Sequence, residues 1–342
     1  MLSIKGCKKK RVCLIDVDSS IPNLALMKLS TYFKKDKFRV DLIQLNYSGY
    51  KNHKRKKTII DGSKYDKIFV SILFLLNKKV VKIKNCEKVY YGGTGYNFKI
   101  KLPKKAEHLY PDYSLYKGNE YSIGYITRGC IRNCKFCFVR KKEGNLHIYA
   151  SIKEFYNPKL PKIMLLDNNF LALKEDKCLE FLLELKKTGK EITFKQGLDF
   201  RLLNEKKIKA LMELKYVGEY IFAFDNPLDK PIIEKKLKLW KQFVKDWQTK
   251  FYVLVGFESS LKQDLERVYF LRKNKCLPYI MRHTKCYSSE NKPFYTDLAA
   301  WCNQPGLFKN MPFKEFIRRR HATKERRRQT EDIIESEGLK IL

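Results

Sequence analysis

The sequence has no long hydrophobic run. Its longest, over 68–76, spans nine residues and is interrupted by Ser71, against the roughly 20 that a membrane-spanning helix needs. Near the N-terminus the only apolar stretch is Val12 to Ile15, too short for the core of a signal peptide. These absences predict a cytoplasmic protein with no membrane partner. Acidic residues are scarce, 37 against 72 basic ones, and arginine supplies only 16 of the 72. Histidine occurs five times, never before His53. In such a compartment the ten cysteines do not read as a disulfide framework. They are free thiols or metal ligands, and spacing decides between the two.

What is present fits a folded chain. At roughly 150 residues per domain, 342 residues give about two domains, and a hydrophobic fraction of 44% rules out disorder throughout. The net charge of +35 has two readings. A lysine-rich composition accounts for it without function; a polyanionic partner such as nucleic acid is the other.

The first hundred residues read as a small α/β unit, with strands over 11–18, 39–45, 67–74 and 88–93. A helix opened by Pro22 and Asn23 carries Leu24, Leu26, Met27, Leu29 and Phe33, and a basic loop, 51–57 (KNHKRKK), lies between the second and third strands. Strands alternating with helical or loop crossovers predict a parallel sheet. Gly92-Gly93-Thr94-Gly95 departs from GxGxxG and reads as a tight turn rather than a phosphate cradle. A polar, proline-containing connection over 103–116 marks a boundary. Beyond it, strands are predicted over 121–127, 162–167, 191–196, 219–225, 250–257 and 277–283. Helices separate them, with capping boxes at Ser151–Glu154 and Ser260–Gln263. Six βα-type repeats are too few for an eight-fold barrel. The expected fold class is α/β: a Rossmann-like parallel sheet over 1–105, a linker over 106–120, a partial (β/α)6 TIM-type barrel over 121–290, and a C-terminal extension with a basic helix over 291–342.

Polar residues follow all six of these later strands. Cys130, Cys134 and Cys137 follow the first; Asp167, Asn168 and Asn169 the second; Gln196, Asp199 and Arg201 the third. Asp225 and Asn226 end the fourth, Gly256 and Glu258 the fifth, Arg282 and His283 the sixth. In a parallel barrel these ends share one face, where active sites sit. The cysteines carry the sharpest signal. Cys-x3-Cys-x2-Cys in one loop, with Phe136 before the last, offers three thiolates for three irons of a [4Fe–4S] cluster. No fourth protein ligand is evident, which leaves one iron open to a small molecule. A zinc site completed by His147 is the alternative, and would make the chain a zinc-stabilised nucleic-acid-binding protein without catalysis. The remaining cysteines lack such spacing; Cys13 and Cys178 lie in apolar patterns and read as core.

The cysteine motif, together with PDYSLY (111–116), IGYITRGCIRNCKFCFVRKKEG (123–144), LLDNNFLA (165–172) and QGLDFRLL (196–203), resembles the radical S-adenosylmethionine enzymes over about residues 107–310. Within them it is similar to a subgroup related to cobalamin-dependent radical enzymes and methylthiotransferases. The resemblance implies that Cys130, Cys134 and Cys137 hold a [4Fe–4S] cluster, while the amino and carboxylate groups of S-adenosylmethionine chelate the fourth iron. An electron, from a donor such as a flavodoxin or ferredoxin, would break the S–C5′ bond, and the 5′-deoxyadenosyl radical would take hydrogen from a substrate. The same resemblance puts Phe136 near the adenine. It puts Asp167, Asn168 and Asn169 where the family binds the methionine amino group, although this sequence has no Gly-Gly-Glu there. Asp225 and Asn226 take the ribose position, and Gly256 and Glu258 match an element that approaches the adenine by its backbone. Asp-Asn pairs are also common turn formers. Gln196, Asp199 and Arg201 read as facing the substrate, with a buried Asp199–Arg201 salt bridge as the alternative.

The N-terminal unit resembles a degenerate cobalamin-binding domain in position and strand order but lacks Asp-x-His-x-x-Gly. No histidine from this region would ligate cobalt, and a structural or substrate-facing role is preferred to cobalamin binding. Relationship alone points to methyl or methylthio transfer on a nucleic acid or nucleotide. At the C-terminal end, 308–316 with Trp301 and Asn303 resembles the closing segment of the subgroup, with Ala300 where an arginine is usual. Six of the sixteen arginines fall between Arg318 and Arg328. Arginine binds phosphate in a bidentate way that lysine cannot. The segment reads either as a nucleic-acid contact or as a solvated amphipathic helix.

Overall fold

The computed structural model describes residues 10–47 and 57–338. The basic run 51–57, apart from Lys57, lies outside the described residues, as does Cys7. Packing divides the chain into two units: Met1–Ile126 with Tyr149–Met164, and Thr127–Ile148 with Leu165–Leu342.

The first unit contains β1 (Arg11–Asp16), α1 (Leu24–Lys35), β2 (Arg39–Gln44), β3 (Thr58–Asp61), β4 (Lys67–Ser71), β5 (Val81–Lys84), β6 (Val89–Gly92), two short helices α2 (Thr94–Asn97) and α3 (Lys104–Glu107), and β7 (Tyr121–Gly124). Its main sheet has the order β2-β1-β4-β6 and is parallel throughout, with Leu14 opposite both Leu42 and Phe69. A parallel strand covered on both faces must be apolar on both, and β1 is. Cys13 and Ile15 pack with Ile68, Val70 and Ile72 on one side; Val12 and Leu14 pack with Leu26, Leu29 and Phe33 of α1 on the other. The helix starts at its expected place because Asn23 Oδ1 accepts the Leu26 N–H at 3.3 Å, satisfying one of the donors a helix start leaves open.

Three features of this unit differ from expectation. The strand expected over 67–74 ends at Ser71. Buried Asp18 accepts the N–H groups of Leu73 (2.7 Å) and Phe74 (2.9 Å) and the Asn77 amide (2.8 Å), which draws the chain out of the ladder. Leu73, Phe74, Leu75 and Leu76 are left exposed. Second, β3 and β5 form a separate parallel pair that sequence reading missed. Third, the stretch read as a linker is tied down. Asp112 accepts from Ser30 Oγ (2.5 Å) and Lys34 Nζ (2.6 Å), and the Tyr116 hydroxyl donates to buried Asp16 at 2.7 Å.

Next come β8 (Thr127–Arg128), α4 (Val139–Glu143) and β9 (His147–Ile148), with β8 and β9 antiparallel. β10 (Lys162–Leu165) lies beside β7, and the carbonyl of its last residue accepts the Lys195 N–H at 2.9 Å. The second unit then alternates: α5 (Glu175–Lys187), β11 (Glu191–Phe194), α6 (Glu205–Met212), β12 (Lys215–Tyr216), β13 (Tyr220–Ala223), α7 (Lys230–Trp240), β14 (Thr249–Val255), α8 (Leu261–Lys273) and β15 (Leu277–Arg282). β11 pairs in parallel with β12, Leu198 bridges in parallel to Phe222, and β13, β14 and β15 form a parallel sheet. Strands form in all the stretches expected after residue 120, most ending a residue or two early. Past the end of β13 a side chain takes over: Asp225 Oδ1 accepts the Leu254 N–H at 2.9 Å.

The chain closes with α9 (Lys292–Cys302), α10 (Pro305–Asn310), α11 (Phe313–Arg320) and α12 (Lys324–Ser336). Asn303, at the end of α9, covers the open edge of β15. Its Oδ1 accepts the Ile280 N–H at 2.6 Å and its Nδ2 donates to the Ile280 carbonyl at 3.2 Å, as a neighbouring strand would. Trp301 is fully buried, stacks on Phe313 and donates its indole N–H to the Met311 carbonyl at 3.0 Å. Among the described residues no helix is long and apolar enough to cross a membrane.

Candidate active site

The cysteine loop joins β8 to α4 and is bound at both ends. At its start, Asp167 Oδ1 accepts both the backbone N–H (2.5 Å) and the hydroxyl (2.6 Å) of Thr127, and Asn168 Oδ1 accepts the Gly129 N–H at 3.1 Å. Gly129 has φ +81°, and a Cβ there would lie 2.2 Å from the Asn145 carbonyl oxygen, so only glycine fits. At its end, Arg128 pairs with Glu143 at 2.9 Å, and Arg140 Nη1 donates to the Cys130 carbonyl at 2.9 Å. Asp167 and Asn168, expected to touch a cosubstrate, are thus engaged in holding the loop.

Cys130, Cys134 and Cys137 are free thiols, partly exposed. Cys130 Sγ accepts the Arg132 N–H at 3.3 Å and the Asn169 Nδ2–H at 3.4 Å. The Cys137 N–H closes a turn onto the Cys134 carbonyl at 3.0 Å. Burial, followed by the neighbouring Cys137 thiol, pushes Cys134 up; burial also pushes Cys137 up, and Cys130 adds to it. Asn169 is 4% exposed, and its buried Oδ1 has no hydrogen-bond partner among the described residues.

The donor set suits the group that the resemblance implies. Three cysteines on one loop and N–H groups directed at a sulfur suit an iron–sulfur cluster, and the Asn169 oxygen beside that sulfur is an acceptor with no partner among the described residues. Among the described residues no three His, Cys, Asp or Glu side chains form a ready-made cage for a metal ion. Each iron of a cluster takes one thiolate, so the three need not meet at one point. His147, the alternative fourth ligand, is exposed on β9, with Nδ1 2.9 Å from the Asn145 carbonyl.

Of the polar residues at the next two strand ends, Asp199 meets this loop directly. Asp199, 7% exposed, is held by Arg201 Nε (2.7 Å) and Nη2 (3.0 Å) and by Arg132 Nε (3.0 Å). Burial pushes its carboxyl up, but the two guanidiniums outweigh burial and hold it below the ordinary value. Arg201 also reaches Asp229 at 2.6 Å. Asp199 and Arg201 form the buried ion pair, with Asp229 as a third member that sequence reading missed. Burial pushes Asp225 up to about 6, against the Leu254 N–H and Arg267, which lower it. Asn226 is exposed and caps the turn after β13 by accepting the Leu228 N–H at 3.0 Å, and Gln196 is exposed; neither has a hydrogen bond to the cysteine loop.

The fifth strand end meets the loop twice. Lys135 pairs with Glu258 at 2.9 Å, and the Phe136 ring packs edge-on against Phe257, centroids 5.5 Å apart. Phe257 in turn packs on His283 at 4.7 Å. Gly256 has φ +70°, and a Cβ there would lie 2.2 Å from Cys286 Sγ, so the backbone at this position packs closely on Cys286.

Beneath these strand ends lies a pair that sequence reading missed. Arg267, 1% exposed, donates to the carbonyls of Phe224 (2.6 Å), Asp225 (2.9 Å) and Leu254 (2.8 Å) and to Asp264 (2.5 Å). Asp264, fully buried, also accepts from the Gly256 N–H (3.0 Å), the Ser259 hydroxyl (2.6 Å) and the Tyr295 hydroxyl (3.1 Å). The signal was an acid and a base three apart on a helix face shared with Leu261, Leu265, Val268 and Leu271.

The arginines of the C-terminal segment divide into two groups. Arg319 pairs with Glu315, Arg320 with Asp297 at 3.0 Å, and Arg327 donates to the His321 carbonyl at 2.7 Å. Arg318, Arg326 and Arg328 are exposed. The chain matches no protein-family model and no curated protein.

Proposed function

We propose that the chain is a radical S-adenosylmethionine enzyme built on a partial (β/α)6 barrel, in which Cys130, Cys134 and Cys137 hold a [4Fe–4S] cluster. The observation that carries this reading is the surroundings of Cys130: two N–H groups directed at its sulfur, one of them from Asn169, whose own oxygen is buried and unpartnered. When bound, the cluster supplies the electron that splits S-adenosylmethionine, giving the 5′-deoxyadenosyl fragment that takes hydrogen from the substrate.

The chain's own residues bind and orient. Asn169 Oδ1 is an acceptor for the cosubstrate ammonium, and satisfying it removes the cost of a buried orphan. Phe136, 37% exposed and braced by Phe257, offers a ring face to the adenine and keeps water from it. Asp225 is an acceptor for ribose hydroxyls. The Arg132–Asp199–Arg201–Asp229 network ties the cysteine loop to the segments that follow β11 and β13. The reaction class that relationship favours is methyl or methylthio transfer to a nucleic acid or nucleotide.

Anaerobic reconstitution with iron and sulfide tests the reading. About four irons and four sulfides per chain, in a brown protein, are expected. A colourless protein holding one zinc per chain would contradict it and favour a structural metal site.

A further inference from the structure

A second site lies in the C-terminal helices. A cavity of about 460 Å³ is lined by Lys292, Thr296, Arg320, His321, Arg326 and Gln329, with Asp297 at its floor. Asp297, 2% exposed, is hydrogen-bonded to His321 Nε2 (2.8 Å) and the Thr330 hydroxyl (2.7 Å), and its other oxygen is ion-paired with Arg320 Nε at 3.0 Å. It therefore fixes one guanidinium by its ε nitrogen, while the two η nitrogens have no acceptor among the described residues. Arg320 is steadied further by the Phe316 ring, 5.8 Å away. Lys292 and Arg326 are exposed and meet no acid among the described residues. Three formal cations thus face the cavity against one carboxylate, and that carboxylate is already spent. Lys292 and Pro293 are also the first residues of α9, whose N-terminal end adds positive potential.

We propose that this cavity is a phosphodiester-binding site for a nucleic-acid strand. Pre-oriented guanidinium nitrogens, with a hydroxyl and an amide beside them, match the anionic oxygens of a phosphate. The cavity is also joined by contacts to the cysteine loop. Thr296 accepts from Arg282 Nη1 at 3.0 Å; the next residue, His283, packs on Phe257, and Phe257 packs on Phe136. That the bound strand is the polymer the enzyme modifies rests on the reading above; the binding itself does not.

The test uses the full, iron-free chain and fluorescently labelled single-stranded RNA and DNA of one sequence, titrated over a series of salt concentrations. For single strands the log–log slope is about −0.7 per phosphate contact. The double variant Lys292→Gln/Arg326→Gln is expected to make the slope shallower by about 1.4 and to weaken binding about tenfold at low salt. The control, Lys187→Gln/Lys238→Gln, removes the same charge from exposed helical positions and should leave the slope unchanged. All four residues are exposed and the thermal melts should coincide, so a folding defect would be visible. Equal slopes in the two variants, or polyglutamate bound as tightly as RNA and weakened equally, would overturn the site and leave only diffuse charge attraction. Because no cluster is needed, failure here leaves S-adenosylmethionine cleavage untested and unaffected, and the reverse also holds.

Discussion

Cys134→Ala is expected to abolish stable cluster binding while leaving the fold intact. The Cys134 side chain is partly exposed and makes no side-chain hydrogen bond among the described residues, so truncation should cost about 1 kcal/mol or less. A cluster left with two of three protein thiolates loses the ligand of one iron and becomes open to solvent. Iron content should fall from about four per chain to well under two, and cleavage of S-adenosylmethionine should be lost with it. Cys178→Ala is the matched control. Cys178 is fully buried on the apolar face of α5, where burial pushes its thiol up to about 11. Its truncation should lower the urea midpoint and leave the iron content unchanged. Full iron and full cleavage in Cys134→Ala would remove that residue from the ligand set.

Arg267→Leu should produce the largest loss of stability. Its guanidinium satisfies three backbone carbonyls at the ends of β13 and β14 and compensates Asp264. Removing it strands those carbonyls and leaves a fully buried carboxylate without its cation. Breaking one side of a buried ion pair costs about 3–5 kcal/mol. The double variant Asp264→Leu/Arg267→Leu should be less damaging than the two single losses added together, because neither charge is then left alone. Urea unfolding of the three variants measures this. A wild-type midpoint in Arg267→Leu would mean that the guanidinium does not hold these strand ends. The functional consequence would appear at Gly256, whose N–H Asp264 accepts, and at Asp225, whose carbonyl Arg267 binds.

Much of the architecture was legible because it rests on local pattern. The β1 stretch is apolar on both faces, and Asn23 caps α1. Ser260 with Gln263 forms the expected capping box at the start of α8, with bonds of 3.2 and 2.9 Å. The box at Ser151 and Glu154 also forms, on a single turn of 3-10 helix. What pattern could not show is where a polar side chain spends its bonds. Asp167 read as a cosubstrate contact, yet its Oδ1 accepts both the N–H and the hydroxyl of Thr127. Asp18 gave no sign that it would end β4 by capturing two backbone N–H groups fifty-five residues on. Arg267 and Asp264 look like solvent-facing charges until burial is known, since lone charges on helices mostly are. β3 and β5 are four residues each, too short for alternation to declare itself. In the C-terminal segment the clustering of arginine was visible. That Arg320 is taken up in an ion pair depends on Asp297, which lies more than twenty residues earlier.

The central claim is that the cysteine loop supports reductive cleavage of S-adenosylmethionine. The direct measurement is anaerobic: the reconstituted chain is mixed with a strong reductant and S-adenosylmethionine, and 5′-deoxyadenosine is quantified over time. The chain in which Cys130, Cys134 and Cys137 are all alanine is run in parallel. The account predicts 5′-deoxyadenosine from the native chain and none from the triple variant. Equal amounts from both, or none from a native chain that carries zinc in place of iron, would contradict it.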